Sequence, residues 1–333
     1  MKVQLLICTT DSDYSNHLSR VLSENHPNSF EVTMCSSVEA SKNLLGEKGY
    51  DAALIGVELI KDIDFNKIRL PLVLWDGLNS VEGCEVAPIK KYQRISSMVS
   101  DVLESYSKIA PSSGFAVTGR GRITTVYSPT GGSGKTTVAL AFAARMSLSG
   151  KSALYLCLEP FCSTSAFFGQ DGKSISKVFE SLYSGNLEML LESLVQKDSD
   201  TSIMFYRAPE NYDDLNELTK ENLTTLIFAI AANVDELVID VGSSSSHNMN
   251  VLLDSADNVL LVTDNSWSAV VKFNQFTNQH NTFEKIKAKT TIVANKGARV
   301  IETRGAAGVI ELPLVNSPDG GIVFKTLSAK EFV

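Results

Sequence analysis

The chain has 333 residues, a length that predicts two domains. Hydrophobic residues make up 44% of it and charged residues 20%, which is the composition of a globular protein. Its 30 basic and 38 acidic residues give a formal net charge of −8, which disfavours nucleic acid and anionic lipid as partners. No apolar run reaches the ~18 residues of a membrane-spanning helix and no signal-peptide cleavage site follows the first strand-like run, so we expect a cytoplasmic protein without direct membrane insertion.

The first hundred residues alternate between apolar strand-like runs and amphipathic helical runs. Such alternation predicts an α/β domain with a parallel sheet covered by helices. The runs are residues 3–8, 17–24, 30–35, 38–45, 52–55, 70–74, 86–89 and 95–106.

This order resembles the receiver domain of response regulators over residues 1–106. A working receiver needs an aspartate at the end of its third strand to accept a phosphoryl group, and an acidic pair after its first strand to hold Mg²⁺. Gly56 stands at the first position, while Asp11 and Asp13 are displaced and better fit a helix N-cap and first turn. Lys90 follows the fifth strand, near the position at which receiver domains have a lysine. We predict a degenerate receiver-like domain that cannot be phosphorylated and serves in docking or dimerisation.

Residues 107–121 are rich in serine, glycine and proline and are predicted to be a linker. A second alternation of strands and helices fills residues 122–333. Its predicted strands are 123–127, 153–158, 203–206, 236–240, 258–263 and 290–294.

A glycine-rich turn joins the first of these strands to a helical run at residues 138–147. Glycines let main-chain amides point inward at a helix N-terminus, where the helix dipole also favours phosphate. We expect Lys135 to reach the β- and γ-phosphates of a nucleotide and the Thr136 hydroxyl to bind Mg²⁺. The predicted ATP-binding residues of this P-loop are Thr130, Gly131, Gly132, Ser133, Gly134, Lys135, Thr136 and Thr137.

The paired glycines before Gly134 resemble the variant P-loop of the MinD/ParA ATPases, although Pro129 departs from the general motif. The resemblance covers residues 122–333 and implies a doubly wound α/β fold. It assigns Asp240, at the end of a strand, to the Mg²⁺ shell. It assigns Glu159 to the attacking water, whereas Cys157 replaces the other acidic residue of that segment.

Three further expectations follow from the same resemblance. Asn295 would read the adenine edge, with a strand-terminating turn as the alternative. Two molecules would form a homodimer through the faces of the ATPase domains. Thr130 replaces the lysine that usually reaches the partner's phosphates, so hydrolysis should be slow. Whether Arg120, Arg122 or another lysine substitutes in trans stays open.

A degenerate receiver followed by a variant ATPase resembles the TadZ/CpaE proteins, which localise Flp (Tad) pilus assembly at the cell pole. This implies pilus secretion and assembly proteins as partners. The alternative is a MinD- or ParA-type spatial regulator of cell division or DNA partitioning. A bacterial tyrosine kinase would need tyrosines beyond Tyr212, and a nitrogenase iron protein would need cysteines beyond Cys162; neither is present.

Other features of the sequence are predicted to be structural. The five cysteines lack CxxC spacing and are expected to be buried free thiols. Phe167 and Phe168 should pack in the core. The last residues, 322–333, fit a packing helix rather than a membrane-binding one. Trp267 is expected in an exposed loop.

Overall fold

A computed structural model of the chain describes residues 2–27, 29–77, 86–109, 120–169, 172–182, 187–211, 213–243, 247–300 and 302–330. They form two units, Met1–Ser113 with Tyr183–Ser193, and Gly114–Leu182 with Leu194–Val333. Most of the predicted linker lies outside the described residues.

The first unit contains a five-stranded parallel sheet in the order β2-β1-β3-β4-β5. This is the strand order of a doubly wound α/β sheet. Its elements are β1 (Val3–Cys8), α1 (Ser12–Asn25), β2 (Phe30–Cys35), α2 (Val38–Glu47), β3 (Tyr50–Gly56), β4 (Ile68–Trp75), β5 (Ala87–Lys90) and α3 (Ile95–Ser107). Two 3-10 turns, Ile60–Asp62 and Phe65–Lys67, join β3 to β4.

Strand β1 supplies side chains to both faces of this sheet. Leu5 and Ile7 pack in one buried cluster together with residues of α1 and α3. Leu6 and Cys8 pack in a second cluster that includes residues of α2. Because successive side chains of a strand point to opposite faces, a continuous apolar strand is buried on both sides.

The carboxyl edge of this sheet has no acceptor carboxylate at Gly56. A Cβ built on Gly56 would collide with the Glu58 carboxylate, which accepts hydrogen bonds from the Thr9 hydroxyl at 2.7 Å and the Thr10 amide at 2.9 Å. Asp11 caps α1 as expected, accepting from the Tyr14 amide.

A lysine approaches Asp11 at this edge of the sheet. Lys91 Nζ lies 2.9 Å from Asp11 Oδ2, whereas Lys90 is the exposed last residue of β5. Strand β5 ends at Lys90, and the residue after it is the one that reaches the N-cap of α1.

The rest of the chain forms an eight-stranded sheet and its helices. The elements are β6 (Arg122–Tyr127), α4 (Lys135–Leu148), β7 (Ala153–Leu158), α5 (Thr164–Phe167), α6 (Ser176–Ser181), α7 (Leu187–Leu194), β8 (Gln196–Lys197), β9 (Met204–Phe205), α8 (Asp213–Asn216), α9 (Lys220–Ala231), β10 (Glu236–Val241), α10 (His247–Ser255), β11 (Asn258–Thr263), α11 (Trp267–Thr277), α12 (Phe283–Ile286), β12 (Thr290–Ala294), β13 (Gly308–Glu311) and α13 (Gly320–Ser328). Most of α7 belongs to the first unit, where Met189 joins the cluster of Leu5 and Ile7.

The second sheet has the order β13-β12-β11-β6-β10-β7-β9-β8. All of its pairs are parallel except β8 with β9. Helix α4 follows β6 and is buried along most of its length, with four alanines, Ala139, Ala141, Ala143 and Ala144, in the core. Small side chains let a helix lie close to a sheet, and α4 also shares its cluster with Phe324 and Leu327 of α13.

Two aromatic residues of this unit differ in their burial. Phe168 is buried and stacks on Phe205 at 4.4 Å between ring centroids, which confirms its place in the core. Trp267 is 83% exposed, but it begins α11 after the Ser266 cap, so the predicted loop is wrong at this position. Within the described residues, no helix combines the length and the apolarity that crossing a bilayer requires.

Candidate functional site

The glycine-rich turn lies between β6 and α4, at the carboxyl edge of the second sheet. Strand β6 pairs with β10 on one side and with β11 on the other. The chain runs from β6 to β7 on one side of the sheet and from β10 to β11 on the other, and ligands of open α/β sheets bind in the crevice where the direction reverses in this way. Residues that end β10, β7 and β12 therefore lie near the turn.

The backbone of the turn is shaped by two glycines with positive φ. Gly132 has φ +74° and Gly134, the N-cap of α4, has φ +91°. A Cβ on Gly134 would collide with the Asn295 side-chain amide. Among the described residues, none accepts a hydrogen bond from the main-chain amides of Gly131, Gly132, Ser133 or Gly134. The turn therefore offers unengaged donors at the N-terminus of α4.

Lys135 is held at this turn by groups from two other strands. Lys135 is only 8% exposed, and its Nζ donates a hydrogen bond to Ser243 Oγ at 2.9 Å. The same Nζ lies 3.3 Å from Glu159 Oε1. The structure thus brings two of the predicted catalytic residues together. The sequence did not single out Ser243, because a sequence does not show which hydroxyl a lysine will meet.

Asp240 is the buried acid of the site. Its Oδ2 accepts a 2.9 Å hydrogen bond from the Tyr155 hydroxyl, while Oδ1 has no partner of good geometry among the described residues. Burial, and then the negative charge of Glu159, raise the pKa of Asp240 to about 7, against the opposing influence of the nearby Thr136 and Tyr155 hydroxyls. Tyr155 was not foreseen, since within its strand it looks like any other core aromatic residue.

The hydroxyl residues of the turn have different surroundings. Thr136 and Thr137 lie half-buried in the first turn of α4, with Thr136 near Asp240. Ser133 is buried and its Oγ has no partner among the described residues. Thr130 is also buried, and its amide donates to Ser128 Oγ at 3.1 Å.

Two residues that follow β12 contact the turn from its outer side. Asn295 Nδ2 donates to the Ser133 carbonyl at 2.9 Å. Lys296 Nζ lies 2.5 Å from the Gly132 carbonyl and 3.5 Å from Asp264 Oδ2. Lys296 is therefore a lysine beside the P-loop that the sequence did not single out.

Arg120 and Arg122, the two candidate substitutes for a lysine at Thr130, lie elsewhere in this unit. Arg122 begins β6, so it stands at the end of the strand opposite the turn. Arg120 precedes it and pairs with Asp257 at 2.5 Å. Neither residue is close to the P-loop of its own chain.

The cysteines depart from the expectation of free thiols. Cys8 and Cys35 are free and buried as expected, and Cys84 lies outside the described residues. Cys157 and Cys162, however, are joined in a disulfide, so the expectation is wrong for this pair. The two residues are separated by five positions and the chain turns back on itself after β7, which brings them together.

Cys157 also lies at the acidic end of the site. One side-chain atom each from Cys157, Glu159 and Asp240 lies within 4.8 Å of the others, and because the Cys157 sulfur is bound in the disulfide, the two carboxylates supply the donors for a cation. A P-loop nucleotide needs a divalent cation beside its phosphates, and the residues present fit one. The unpartnered Asp240 Oδ1 and the open space beside Gly131 and Gly132 are the observations that support this fit.

A family model described as AAA domain matches residues 121–293. No curated protein matches the chain. Among solved structures, a ParA family ATPase from Chlorobium tepidum TLS is 20% identical, covering 62% of this chain and 92% of its own, with a TM-score of 0.52.

Two further structures are similar at lower scores. The cell division ATPase MinD of Pyrococcus furiosus is 16% identical over 63% of this chain and 97% of its own, with a TM-score of 0.48. The septum site-determining protein MinD complexed with Mg-ADP, from Pyrococcus horikoshii OT3, is 14% identical over 62% of this chain and 94% of its own, with a TM-score of 0.46. The predicted fold class, parallel α/β sheets with a doubly wound P-loop unit, is confirmed by the sheets and the first similarity.

Proposed function

Because this chain belongs to the AAA domain family, we propose that its second unit is an ATP-binding, slowly hydrolysing ATPase of the MinD/ParA type. One observation carries the proposal. Four unengaged main-chain amides, the Lys135 ammonium and the unpartnered Asp240 Oδ1 surround a single turn. A buried polar atom without a partner is costly, as Asp240 Oδ1 is here, and a triphosphate with its cation would engage this oxygen, the amides and the ammonium together.

The residues divide into two groups by charge. The amides of residues 131–134 and Lys135 would hold the phosphates, while the Thr136 hydroxyl and Asp240 would hold Mg²⁺, directly or through water. The cation, when bound, neutralises the charge of the phosphate oxygens. Glu159 would orient the attacking water. For this, Lys135 must exchange Glu159 and Ser243 for phosphate oxygens, since its ammonium is engaged by both.

Turnover should be slow, because Thr130 supplies no cation at the position of the usual lysine. We propose that ATP binding matters more than hydrolysis, and that two ATP-bound chains join through their ATPase faces. Such a nucleotide-dependent homodimer would act as a positional scaffold, because a ligand that binds one state shifts the population towards it.

The finer role that we propose is TadZ/CpaE-like, in the cytoplasm at a cell pole, with pilus secretion and assembly proteins as partners. The observation behind it is the pairing of this unit with a first unit whose sheet has the order β2-β1-β3-β4-β5 and lacks an acceptor carboxylate at Gly56. Co-purification of a pilus secretion ATPase with the full chain would support this role. Its absence, together with diffuse localisation of a fluorescent fusion, would contradict it.

The alternative is a MinD- or ParA-type spatial regulator, which the similarity to a ParA family ATPase favours. Salt-dependent binding of the ATP-bound protein to DNA would support the DNA-partitioning form of this alternative. ATP-dependent sedimentation with anionic liposomes would support the membrane-cycling form. The net charge of −8 leads us to expect neither.

Titration calorimetry with Mg-ATP tests the proposed function. We expect saturable binding by the wild-type chain and none by Lys135→Ala. Lys272→Ala, which removes an exposed lysine of α11, is the matched control and should bind as the wild type does. A folded wild-type protein that gives no heat with Mg-ATP would refute the proposal.

The first unit has its own test. Incubation with acetyl phosphate and Mg²⁺ should leave its mass unchanged, because Gly56 offers no acceptor and the Glu58 carboxylate is occupied by Thr9 and Thr10. Stoichiometric labelling would show that the unit is a working receiver rather than a docking module.

A further inference from the structure

The disulfide between Cys157 and Cys162 closes a short ring at the acidic end of the candidate site. Cys157 is 5% exposed near the end of β7, and Cys162 is half-buried before α5, with their Cα atoms 6.3 Å apart. The Thr164 hydroxyl lies 2.8 Å from the Cys162 sulfur. Both cysteines are therefore held in position, Cys157 by its burial and Cys162 by its contact with Thr164.

The ring contains Glu159, the residue that engages Lys135. Because residues 157–162 are tied at both ends, the position of Glu159 depends on the bond between the two sulfurs. Its carboxylate lies 3.3 Å from Lys135 Nζ, with only 8% and 19% of the two side chains exposed. An ion pair this shielded competes with any other anion for the same ammonium.

We propose that Cys157 and Cys162 are a reversible redox site, and that their reduction to thiols raises the affinity of the neighbouring site for Mg-nucleotide. This inference rests on the proposed function for its nucleotide. In the disulfide form, Glu159 is held against Lys135 and opposes the transfer of that ammonium to phosphate. In the dithiol form, the segment is released and Glu159 can move away from Lys135.

The oxidation balances with hydrogen peroxide as the oxidant. The Cys162 thiol, the more accessible of the two, attacks one peroxide oxygen, which gives a sulfenic acid and one water. The Cys157 thiol then attacks the Cys162 sulfur, the S–S bond forms, and the hydroxyl leaves as a second water. Two electrons pass from the thiols to peroxide. A dithiol such as dithiothreitol reverses the change by thiol–disulfide exchange and is itself oxidised.

Linkage makes the effect reciprocal. If reduction strengthens nucleotide binding by a given factor, bound nucleotide favours the dithiol by the same factor. A coupling of this kind is typically about 5-fold to 150-fold. We expect a factor near the lower end, because the disulfide restrains one carboxylate rather than blocking the turn.

The test compares peroxide-treated and dithiothreitol-treated full chains after removal of the reagent. Alkylation with iodoacetamide followed by peptide mass spectrometry should find Cys157 and Cys162 linked in the first sample and alkylated in the second. Titration with Mg-ATP should show affinity about fivefold or more higher for the reduced chain. Cys162→Ser should bind equally after both treatments, whereas Cys84→Ser, which keeps both partners, should retain the difference.

Two outcomes would overturn the inference. The first is a peptide map without a bond between Cys157 and Cys162 after oxidation. The second is equal affinity of the oxidised and reduced wild-type chains, which would leave nucleotide binding itself intact. Absence of binding in both redox forms would instead refute the proposed function together with the coupling.

Discussion

The side-chain amide of Asn295 donates a 2.9 Å hydrogen bond to the main-chain oxygen of Ser133, so the end of β12 is tied directly to the P-loop. The residue that the sequence proposes for reading adenine is therefore engaged with the loop that would hold the phosphates. Asn295 is 5% exposed, and its loss would leave a buried carbonyl without its partner.

Replacing Asn295 by alanine should have two separable effects. Loss of the bond to Ser133 should lower the free energy of unfolding of the nucleotide-free protein by about 1 kcal/mol. Loss of an amide that reads adenine should reduce the preference for ATP over GTP by about tenfold. Chemical denaturation and competition binding measure the two. Asn281→Ala, at an exposed position, is the control and should change neither the free energy of unfolding nor the nucleotide preference. If Asn295→Ala keeps the wild-type preference for ATP over GTP, Asn295 does not read adenine and serves only to hold the turn.

Introducing the missing cation should accelerate hydrolysis. We expect Thr130→Lys to raise the rate of phosphate release by at least roughly tenfold, because a cation at transferring phosphate commonly contributes several orders of magnitude. Thr130 is buried, so the longer side chain should also lower stability. Thr130→Gln adds comparable length without charge and should stay slow. A wild-type rate that already exceeds about one per second would contradict this account of Thr130.

The P-loop also allows a test of its backbone. Gly134→Ala should lower the free energy of unfolding by at least about 1–2 kcal/mol, because its φ of +91° is unfavourable for residues with a Cβ. The new methyl would also press on the Asn295 amide. Gly131→Ala is the matched control, since nothing lies within 4 Å of a Cβ there. Thermal unfolding without nucleotide compares the two, and equal melting temperatures would refute the argument.

The site was predictable from sequence where contacts are local. The order strand, glycine turn, helix places Lys135 and Thr136 without further information, and the parallel alternation places Asp240 at the same sheet edge. The ends of the core strands of both sheets were predicted to within two residues, because an apolar run between polar turns can be placed in few other ways.

What was missed depends on packing between distant segments. Ser243 and Glu159 meet at Lys135 from the ends of two different strands, and no sequence spacing encodes that meeting. Tyr155 reaches Asp240 only because β7 and β10 are paired neighbours. The packing of α7 in the first unit could not be predicted either, because an amphipathic pattern shows that a helix has a buried face but not which segment it packs against.

The buried carboxyl of Asp240 should make stability depend on pH in a direction opposite to that of most acids. Its pKa is raised from the ordinary 3.8 to about 7, so the native protein favours the protonated form. The stabilisation is complete below the ordinary pKa and is lost as the pH rises through about 7, a total of about 4 kcal/mol. Between pH 5 and pH 8 the loss should be roughly 2–3 kcal/mol.

Asp240→Asn removes this ionisable group while keeping an oxygen for the Tyr155 hydroxyl. Denaturation without nucleotide or Mg²⁺ should therefore show Asp240→Asn gaining stability relative to wild type between pH 5 and pH 8. Asp213→Asn, at an exposed position of α8, should follow the wild-type profile. Parallel profiles for Asp240→Asn and wild type would mean that Asp240 is ionised throughout this range, and that its burial costs less than the structure implies.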